Sequence, residues 1–337
     1  GSLLQWNSHT IDTSNTVNGK PVQFWKNQTS GTVTAGAGQV ILANCTNIVV
    51  ENQNVSDGSV GISLGFSDNN TIANNTANYN NQFCILLGGS DNNTITNNTA
   101  NWNKMDGIAL FGSDSNTIAN NTASSNIHSG IALWLSSNNT IANNTADWNN
   151  MDGIYLLTSS SNNTIVNNTA DFNSNGICLS SSSSNNTIAN NTALNNMDGI
   201  YLSGSSSNNT IYHNNFITNT NQAYDDGVNF WNISYPLGGN YWSDYAGVDA
   251  MSGPLQDIAG ADGIGDAPYT NIGGGMGAQD NYPLMNATVP SVVSTVPANA
   301  AVGVVIAQDL VITFCKAMNP VTFAYMVTPN PGGLTPV

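Results

Sequence analysis

Three aspartates recur in a Met-Asp-Gly context, and carboxylates at a fixed spacing are the groups that cleave sugar chains. They are Asp106, Asp152 and Asp198, each 46 residues after the one before. If the chain stacks a turn every 23 residues, they stand two turns, or about 9.6 Å, apart, near the carboxylate separation of inverting glycosidases. An aspartate before glycine is also ordinary turn chemistry, and of the basic residues only Lys104 lies in register. We therefore expect no catalytic residues and a protein that is not an enzyme.

A second acidic cluster lies in the glycine-rich segment 257–266. Asp257, Asp262 and Asp266 bring carboxylates to a turn that glycine permits, which suits a hard cation such as calcium. The alternative is a solvated acidic loop, and we expect no other cofactor. The histidines are scattered along the chain and match neither a Ser-His-Asp set nor a zinc motif.

The elements that position these residues come from a repeat of 23 residues. The copies follow the pattern Gly-Ile-x-Leu, a serine-rich link, and then Asn-Asn-Thr-Ile-x-Asn-Asn-Thr-Ala, with single departures such as Cys84 in place of the glycine. Apolar residues alternate instead of following helical spacing, which indicates short strands. The pattern predicts an all-β parallel β-helix whose equivalent residues stack in columns. The isoleucines that open the copies are Ile62, Ile85, Ile108, Ile131, Ile154, Ile177 and Ile200.

Two further columns of equivalent residues are predicted to point into the solenoid. Stacked side-chain amides can bond from turn to turn and so be buried without loss. We expect one such inward amide column at Asn74, Asn97, Asn120, Asn143, Asn167 and Asn190. We expect the aromatic column Tyr79, Trp102, Trp148 and Phe172 to fill the core.

Four motifs outside the regular copies carry a resemblance to a known family. They are GQVILANCTN at 38–47, GNYWSDY at 239–245, DGIGDAPY at 262–269 and DNYPL at 280–284. With the 23-residue copies, they resemble the NosD-type, or CASH, β-helix repeats of archaeal surface proteins from about residue 22 to residue 284. The resemblance implies a right-handed parallel β-helix, but members bind, scaffold or cleave different molecules. The resemblance would lead us to expect further acidic calcium ligands at two positions that hold Ala259 and Ala261 here. Copper delivery is disfavoured because paired His, Met or Cys ligands are lacking.

The domain organisation follows from changes in the pattern. Residues 1–235 are predicted to form the β-helix, with regular turns at about 60–215 and an insertion at 18–38. Residues 236–288 are predicted to be a glycine- and aspartate-rich C-terminal cap. Residues 289–337 resemble the opening strands of a bacterial Ig-like domain, which needs about 100 residues. We expect either that the rest of the domain is cut off or disordered, or that a neighbouring molecule supplies the missing strands.

Composition excludes several classes of partner. The net charge is −16 with four basic residues, so nucleic acid and anionic membranes are not expected partners. No apolar run is long enough to span a membrane. Cys45, Cys84, Cys178 and Cys315 are expected to be unpaired, with an intermolecular bridge as the alternative.

Surface features complete the predictions. Alternation turns an apolar stripe outward as a candidate interface: Leu86, Phe111, Trp134, Tyr155, Leu157 and Tyr201. Accessible sequons give glycosylation candidates: Asn27, Asn54, Asn69, Asn92, Asn138, Asn162, Asn185, Asn208, Asn232 and Asn286.

The function predicted from these features is that of a structural protein at the cell surface. We expect a subunit of an extracellular filament, sheath or S-layer that assembles with copies of itself through the stripe and the C-terminal strands. The alternatives are a carbohydrate-binding adhesin that uses exposed aromatic residues and, third, a polysaccharide lyase or hydrolase.

Overall fold

The computed structural model describes residues 2–275, 277–288, 292–296 and 311–314. The chain divides into two compact units, Gly1–Thr288 and Val289–Val337. The first unit is a parallel β-helix, as the repeat predicts. Paired strands are offset by one repeat, so that Ile108, Ile131 and Ile154 are register partners on successive turns.

The first face of the solenoid is an eleven-stranded sheet, called here the first sheet. Its strands are parallel except for the antiparallel pair at the start. From Ile62–Gly65 to Asp198–Leu202, each strand opens at or just before the repeated isoleucine, because alternating apolar residues suit a sheet with one buried face. The strands are Thr16–Val17, Lys20–Lys26, Gln39–Ala43, Ile62–Gly65, Ile85–Gly88, Ile108–Phe111, Ile131–Trp134, Asp152–Leu157, Asn175–Leu179, Asp198–Leu202 and Asn221–Asp225.

The other two faces are shorter. The second sheet has nine strands: Gly31–Thr32, Ile48–Glu51, Thr71–Ala73, Thr94–Thr96, Thr117–Ala119, Thr140–Ala142, Thr164–Val166, Thr187–Ala189 and Thr210–Tyr212. The third sheet has Thr192–Leu194, Asn215–Ile217 and Tyr241–Trp242. Isolated bridges between threonines, from Thr76 to Thr192, continue this third face down the solenoid.

The core consists of the inward columns. Ile108, Leu110 and Ile118 and their equivalents on neighbouring turns are fully buried, and each such side chain contributes about 2 kcal/mol. Glycine opens most first-sheet strands because the corner has no room for a side chain. A Cβ on Gly153 would lie 2.6 Å from the carbonyl oxygen of Gly176 and 2.7 Å from the Cβ of Ala170.

The predicted amide column is displaced by one residue. Asn74 and its equivalents are exposed or half-buried, and the buried amides belong to the next residue in each turn. The prediction carried strand alternation through the corner, but Asn74 is left-handed (φ 56°), which turns its side chain out and that of Asn75 in. The observed column is Asn75, Asn98, Asn121, Asn144, Asn168, Asn191 and Asn214, and each member bonds to the next.

The same effect reverses the predicted position of the aromatic column. Tyr79, Trp102 and Trp148 are 59%, 55% and 59% exposed, so they do not fill the core. Each has a left-handed backbone, with φ between 57° and 62°. The left-handed residue breaks the alternation and directs the ring to solvent.

The ends of the solenoid are irregular. A short helix, Leu3–Ser8, is capped by Ser2, and a Cβ on Gly65 would meet the ring of Trp6, so that the ring lies on the first sheet. The predicted insertion at 18–38 is wrong in part, because Lys20–Lys26 pairs with Gln39–Ala43. Two short strands, Met251–Ser252 and Ile258–Ala259, form a hairpin after the last turn.

Described residues between 236 and 288 pack against the last turns. Trp231 and Trp242 are buried, and Asp280 accepts the indole N–H of Trp242 at 2.9 Å. Asp280 Oδ2 also accepts the backbone N–H of Asn240 at 2.7 Å. A role of 236–288 as a cap stays a prediction.

In the second unit, Val292–Val296 and Val311–Phe314 form an antiparallel pair within the chain. The Ig-like identity of 289–337 stays a prediction, and its other residues lie outside the described part of the chain.

Candidate functional site

The three aspartates of the Met-Asp-Gly copies lie in one column where the strands of the first sheet open, and all three are buried. Register pairs Asp152 with Asn175, Asn175 with Asp198, and Asp198 with Asn221. One and two turns before Asp152, the column continues through Ser129 and Asp106, and before them it holds Phe83. The ring of Phe83 contacts that of Phe111 with centroids 6.0 Å apart, so this column faces the apolar stripe.

Carboxylates alternate with hydrogen-bond donors along this column. Asp152 Oδ1 accepts the side-chain N–H of Asn175 at 2.7 Å, and Asp198 Oδ1 accepts that of Asn221 at 2.8 Å. Ser129 Oγ donates to Asp152 Oδ2 at 3.5 Å. Most of the acidic column is therefore held by neighbours on the adjacent turns.

Burial changes the proton affinity of these carboxyl groups. Asp152 is only 6% exposed, and the loss of hydration raises its pKa to about 6, against the lowering effect of the bonds from Asn175 and Ser129. Burial also raises the pKa of Asp106. Asp152 can therefore exchange a proton near neutral pH.

Asp106 differs from the other two aspartates in having an unpaired oxygen. Its Oδ1 accepts the backbone N–H of Ser129 at 2.9 Å, but Oδ2 is buried with no hydrogen-bond partner among the described residues. The side chain is 1% exposed, and a buried acceptor without a partner is costly. His128 lies close enough to lower the pKa of this carboxyl by its charge.

The residues just before Asp106, Ser129 and Asp152 carry sulfur or imidazole side chains. Met105, His128 and Met151 occupy it on three successive turns, and the backbone N–H of Met151 donates to the carbonyl of His128 at 3.2 Å. Met151 is 51% exposed and the other two are half-buried. Sequence reasoning missed this set because it looked for paired ligands without applying the 23-residue step, which places them in one column.

The predicted interface residues share the outward face of the first sheet. Phe111 and Trp134 stack with centroids 4.4 Å apart, and Trp134 contacts Tyr155 edge-on. Phe111 is 37% exposed, whereas Leu86, Trp134, Tyr155, Leu157 and Tyr201 are half-buried. Cys178, buried, separates Tyr155 from Tyr201 in the register. The role of this stripe as an interface stays a prediction.

The exposed aromatic column forms two stacked pairs, called here the corner ladder. Tyr79 stacks on Trp102 with centroids 6.2 Å apart, and Trp148 stacks on Phe172 at 4.1 Å. Ser125 occupies the turn between the pairs. The ladder therefore has a one-turn gap between Trp102 and Trp148.

The glycosylation candidates are accessible, but their modification stays a prediction. All are exposed except Asn232, which is half-buried. The equivalents of Asn74, expected to be inward and unmodified, have no such protection, because they too are exposed or half-buried.

The predicted calcium ligands are engaged in their own loop. Asp266 accepts the backbone N–H groups of Ala250 and Met251, and Asp262 Oδ1 accepts that of Ile264 at 3.0 Å. Asp257 is exposed. Across the described residues, no group of three or more His, Cys, Asp or Glu side chains is arranged to hold a metal ion, and calcium at this loop stays a prediction.

The described cysteines are free. Cys45, Cys84 and Cys178 are buried, and burial raises the pKa of the Cys84 and Cys178 thiols well above the usual range, which makes them poor nucleophiles. Cys315 lies outside the described residues. In the same part of the chain, no helix is long and apolar enough to cross a membrane.

Comparison with protein families identifies the chain's relatives. A family model described as "Periplasmic copper-binding protein (NosD)" matches residues 3–133 and 100–247, which together span more than half of the 337 residues. No curated protein sequence matches the chain.

Solved structures share the solenoid at low identity. A mutant of the periplasmic alginate epimerase AlgG is 21% identical with a TM-score of 0.43, and the match covers 49% of this chain and 48% of that one. The chain thus spans about half the length of this structure. Pectate lyase Pel9A is 17% identical over 72% of each chain, with a TM-score of 0.42. The mannuronan C-5 epimerase AlgE4 A-module of Azotobacter vinelandii is 16% identical, covering 66% of this chain and 73% of that one, with a TM-score of 0.42.

These comparisons correct one prediction. We expected a protein that is not an enzyme. That prediction is wrong, because the solved structures that share this fold are polysaccharide epimerases, a lyase and a glucanase. At such identities the likeness shows the fold alone and assigns none of those activities to this chain.

The family description names copper, so we asked which side chains of this chain are of the types that bind copper. Copper(I) prefers thioether and imidazole ligands, and Met105, His128 and Met151 carry two thioethers and an imidazole at one register position of three successive turns. The expectation that copper delivery is disfavoured for lack of paired ligands stays a prediction. By its matched residues and its parallel β-helix, the chain belongs to the NosD family.

Proposed function

We propose that the chain is a glycan-binding surface protein whose corner ladder holds carbohydrate against the solenoid. The observation that carries this proposal is the exposure of Tyr79, Trp102 and Trp148, each more than half exposed, in a left-handed backbone. That conformation costs a bulky residue about 1 kcal/mol or more. Neither burial nor local backbone preference explains why aromatic residues occupy these exposed positions, so binding of a ligand is the better explanation.

The spacing of the ladder favours one flat ring as the bound group. Trp102 and Trp148 are two turns apart, or about 9.6 Å at the usual strand spacing. Ser125 leaves the intermediate turn without a ring. Each indole is nearly parallel to its own stacking partner, and a separation of about 9.6 Å leaves room for one pyranose ring between the two turns.

The side chains beside the ladder supply hydrogen-bonding groups of the kind that sugars use. The positions before the ladder residues hold Asn78, Asn101, Asp147 and Asp171, and Ser124 precedes Ser125 in the gap; all five are half-buried. Their side chains already orient the next turn, as when Asn101 Oδ1 accepts the backbone N–H of Ser124 at 2.8 Å. Rigid amides, hydroxyls and carboxylates next to aromatic faces fit carbohydrate better than an apolar protein surface.

The test is glycan-array binding by the double variant Trp102→Asn/Trp148→Asn. Asparagine is the residue that the chain itself places at the equivalent left-handed position Asn195 (φ 55°), so the backbone is preserved. We expect loss of binding, since each aromatic contact of this type contributes about 1 kcal/mol or more. Leu135→Asn is the matched control, because Leu135 is 61% exposed and left-handed at a different corner. Equal binding by both variants and the wild type would overturn the proposal.

Assembly into a filament, sheath or S-layer is the second candidate function. Phe111 and Trp134 stack on an outward sheet face, and Leu135 next to them is 61% exposed. A contiguous apolar patch of this kind favours contact with another copy. Light scattering of the wild type and of Phe111→Ser/Leu135→Asn tests it. Association that the variant loses supports assembly, and a wild type that stays monomeric at high concentration removes it.

A location outside the cytoplasm fits both candidates. The family description is periplasmic, and glycans and partner copies of a surface protein are both found outside the cell membrane. Cleavage of this protein by a protease added to intact cells, compared with its cleavage after the cells have been lysed, tests the location directly.

A further inference from the structure

We propose that the corner ladder binds a glycan that carries ammonium groups, such as an oligomer of glucosamine. One amino sugar lies between Trp102 and Trp148, with its ammonium group beside Asp147. This inference rests on the proposed function, which gives the ladder a sugar ligand, and adds the class of sugar. It is carried by two aromatic faces that are turned towards the same gap and by the carboxylates at one side of that gap.

The gap in the ladder is one turn deep, and backbone hydrogen bonds fix its position. The N–H of Trp102 donates to the carbonyl of Ser124 at 3.2 Å, and the N–H of Ser125 donates to that of Asp147 at 2.9 Å. Trp102, Ser125 and Trp148 therefore occupy three successive turns of one corner. Because serine is small, it does not fill the space that an aromatic ring occupies on the turns on either side.

Each indole has one face covered by its stacking partner and one face turned towards the gap. Tyr79, on the turn before Trp102, stacks on it with ring planes 9° apart. Phe172, on the turn after Trp148, stacks on it with centroids 4.1 Å and planes 6° apart. Both partners lie on the side away from Ser125, so the uncovered face of each indole is the one towards the middle turn.

The depth of the gap suits a cation as well as a sugar ring. A group at the level of the Ser125 turn lies about 4.8 Å from each indole at the usual strand spacing. A cation is attracted to an aromatic face within about 6 Å of the ring centroid, and tryptophan attracts it most strongly. An ammonium group on a sugar in the gap is therefore within range of both indoles. A carboxylate there would instead meet the negative faces of two rings.

The column beside the ladder changes from amides to carboxylates along the solenoid. Each member accepts the backbone N–H of the next turn at 2.8–3.2 Å, which holds its side chain in place. The members are Asn78, Asn101, Ser124, Asp147 and Asp171. The column is therefore uncharged beside Tyr79 and Trp102, and it carries carboxylates beside Trp148 and Phe172.

Asp147 is the group that favours a cation. Its Oδ1 accepts the backbone N–H of Asp171 at 2.9 Å, and burial raises the pKa of the carboxyl group against that bond. An ammonium group at this edge of the gap offsets the cost of partly burying the charge. Lys104 is exposed in another column, with Ile127 and Asn150. The net charge of −16 also attracts ammonium-bearing glycans and repels uronates.

The chain supplies a matched control for the charge of Asp147. Asp114 has the same role at a different corner, where its Oδ1 accepts the backbone N–H of Ser137 at 2.7 Å, and it is also half-buried. Asp147→Asn and Asp114→Asn each remove one charge and keep an oxygen for the hydrogen bond. Asn101 already accepts the N–H of Ser124 in this way, so both variants should fold.

The experiment measures the affinity of the whole chain for three oligosaccharides of equal length by titration calorimetry. They are oligomers of glucosamine, of N-acetylglucosamine and of galacturonate, in buffer that keeps the amino groups protonated. We expect the glucosamine oligomer to bind about tenfold more tightly than the N-acetylated one, and the galacturonate oligomer not to bind. Asp147→Asn should remove most of that preference and leave binding of the N-acetylated oligomer unchanged. Asp114→Asn should keep the preference.

Three results would overturn this class of ligand. One is a preference for glucosamine that Trp102→Asn/Trp148→Asn leaves intact, which would show only general attraction of a polycation to an acidic protein. Another is binding of the N-acetylated or galacturonate oligomer that equals or exceeds that of glucosamine and that the tryptophan variant loses. The ladder would then still be a glycan site, of another class. The third is choline that binds as tightly as the glucosamine oligomer, which would make the gap a site for ammonium compounds that are not sugars.

Failure of the proposed function gives a different result. In that case, none of the three oligosaccharides binds in a way that depends on Trp102 and Trp148, and the inference falls with the proposed function.

Discussion

The side-chain amide of Asn121 donates to Oδ1 of Asn144 at 3.0 Å, and the same oxygen accepts the backbone N–H of Asn121 at 2.9 Å. The amide of Asn121 also donates to the carbonyl of Ile95 at 2.9 Å, so that one side chain links three successive turns. Because every such group is buried, the corner is polar and still fully bonded. The solenoid is thus held by its amide columns as well as by its apolar core.

Removing one of these amides should destabilise the fold strongly. In Asn121→Leu, the backbone N–H of Asn98 and the carbonyl of Ile95 lose buried partners, each at about 1–3 kcal/mol. We expect the free energy of unfolding in denaturant to fall by about 3 kcal/mol. Asn120→Gly, at the exposed left-handed position next to it, should change it by less than about 1 kcal/mol. Equal losses in both variants would contradict the role of the buried amide.

Much of the fold could be predicted from the sequence, because the 23-residue step alone fixes which residues stack. The errors at Asn74 and Tyr79 have one cause: strand alternation was extended through a residue whose backbone is left-handed. Asparagine adopts that conformation often and tryptophan rarely. The residue types at Trp102 and Trp148 therefore did not predict a left-handed backbone there. The set at Met105, His128 and Met151 was visible in principle, since the same step relates all three.

Stability should depend on pH through Asp152. Burial raises its pKa to about 6, whereas an unfolded aspartate titrates near about 3.9. The folded state therefore holds more protons between these values, and stability falls as the pH rises through that window. We expect the wild type to be about 1 kcal/mol more stable at pH 5 than at pH 7.5 from this group. Asp152→Asn should lose that part of the difference in thermal unfolding, whereas a change at the exposed Asp257 to Asn should keep it.

The buried Asp280 should add to the same trend. Its pKa is raised to about 6 by burial, against the bonds from Asn240 and Trp242, so the sign is the same as for Asp152. Asp280→Asn keeps one acceptor oxygen for these N–H groups but puts an amide N–H in place of the other. We expect it to flatten the pH dependence of unfolding between pH 5 and 7.5 and to lower stability at pH 5. A variant with the wild-type pH profile would show that Asp280 does not hold the extra proton.

The corner ladder should contribute little to folding. In Trp148→Asn, the lost stacking on Phe172, about 1 kcal/mol, is offset by relief of a left-handed aromatic residue, also about 1 kcal/mol. We expect the free energy of unfolding to change by less than about 1 kcal/mol. A loss of more than about 2 kcal/mol would make the ring a structural element and weaken the case for a ligand.

Glycine at the start of a first-sheet strand should be required wherever the corner has no room for a side chain. In Gly153→Ala, the added methyl group would lie 2.6 Å from the carbonyl oxygen of Gly176 and 2.9 Å from that of Ala146, so the backbone of two turns must shift. Overpacking of this kind costs about 1–3 kcal/mol, and because each turn contacts only its neighbours, the loss should appear as local unfolding. Hydrogen exchange of the amides on these turns measures it. Gly88→Ala is the control, because its nearest neighbour would be 3.9 Å away, and faster exchange there as well would point to lost glycine flexibility instead of a clash.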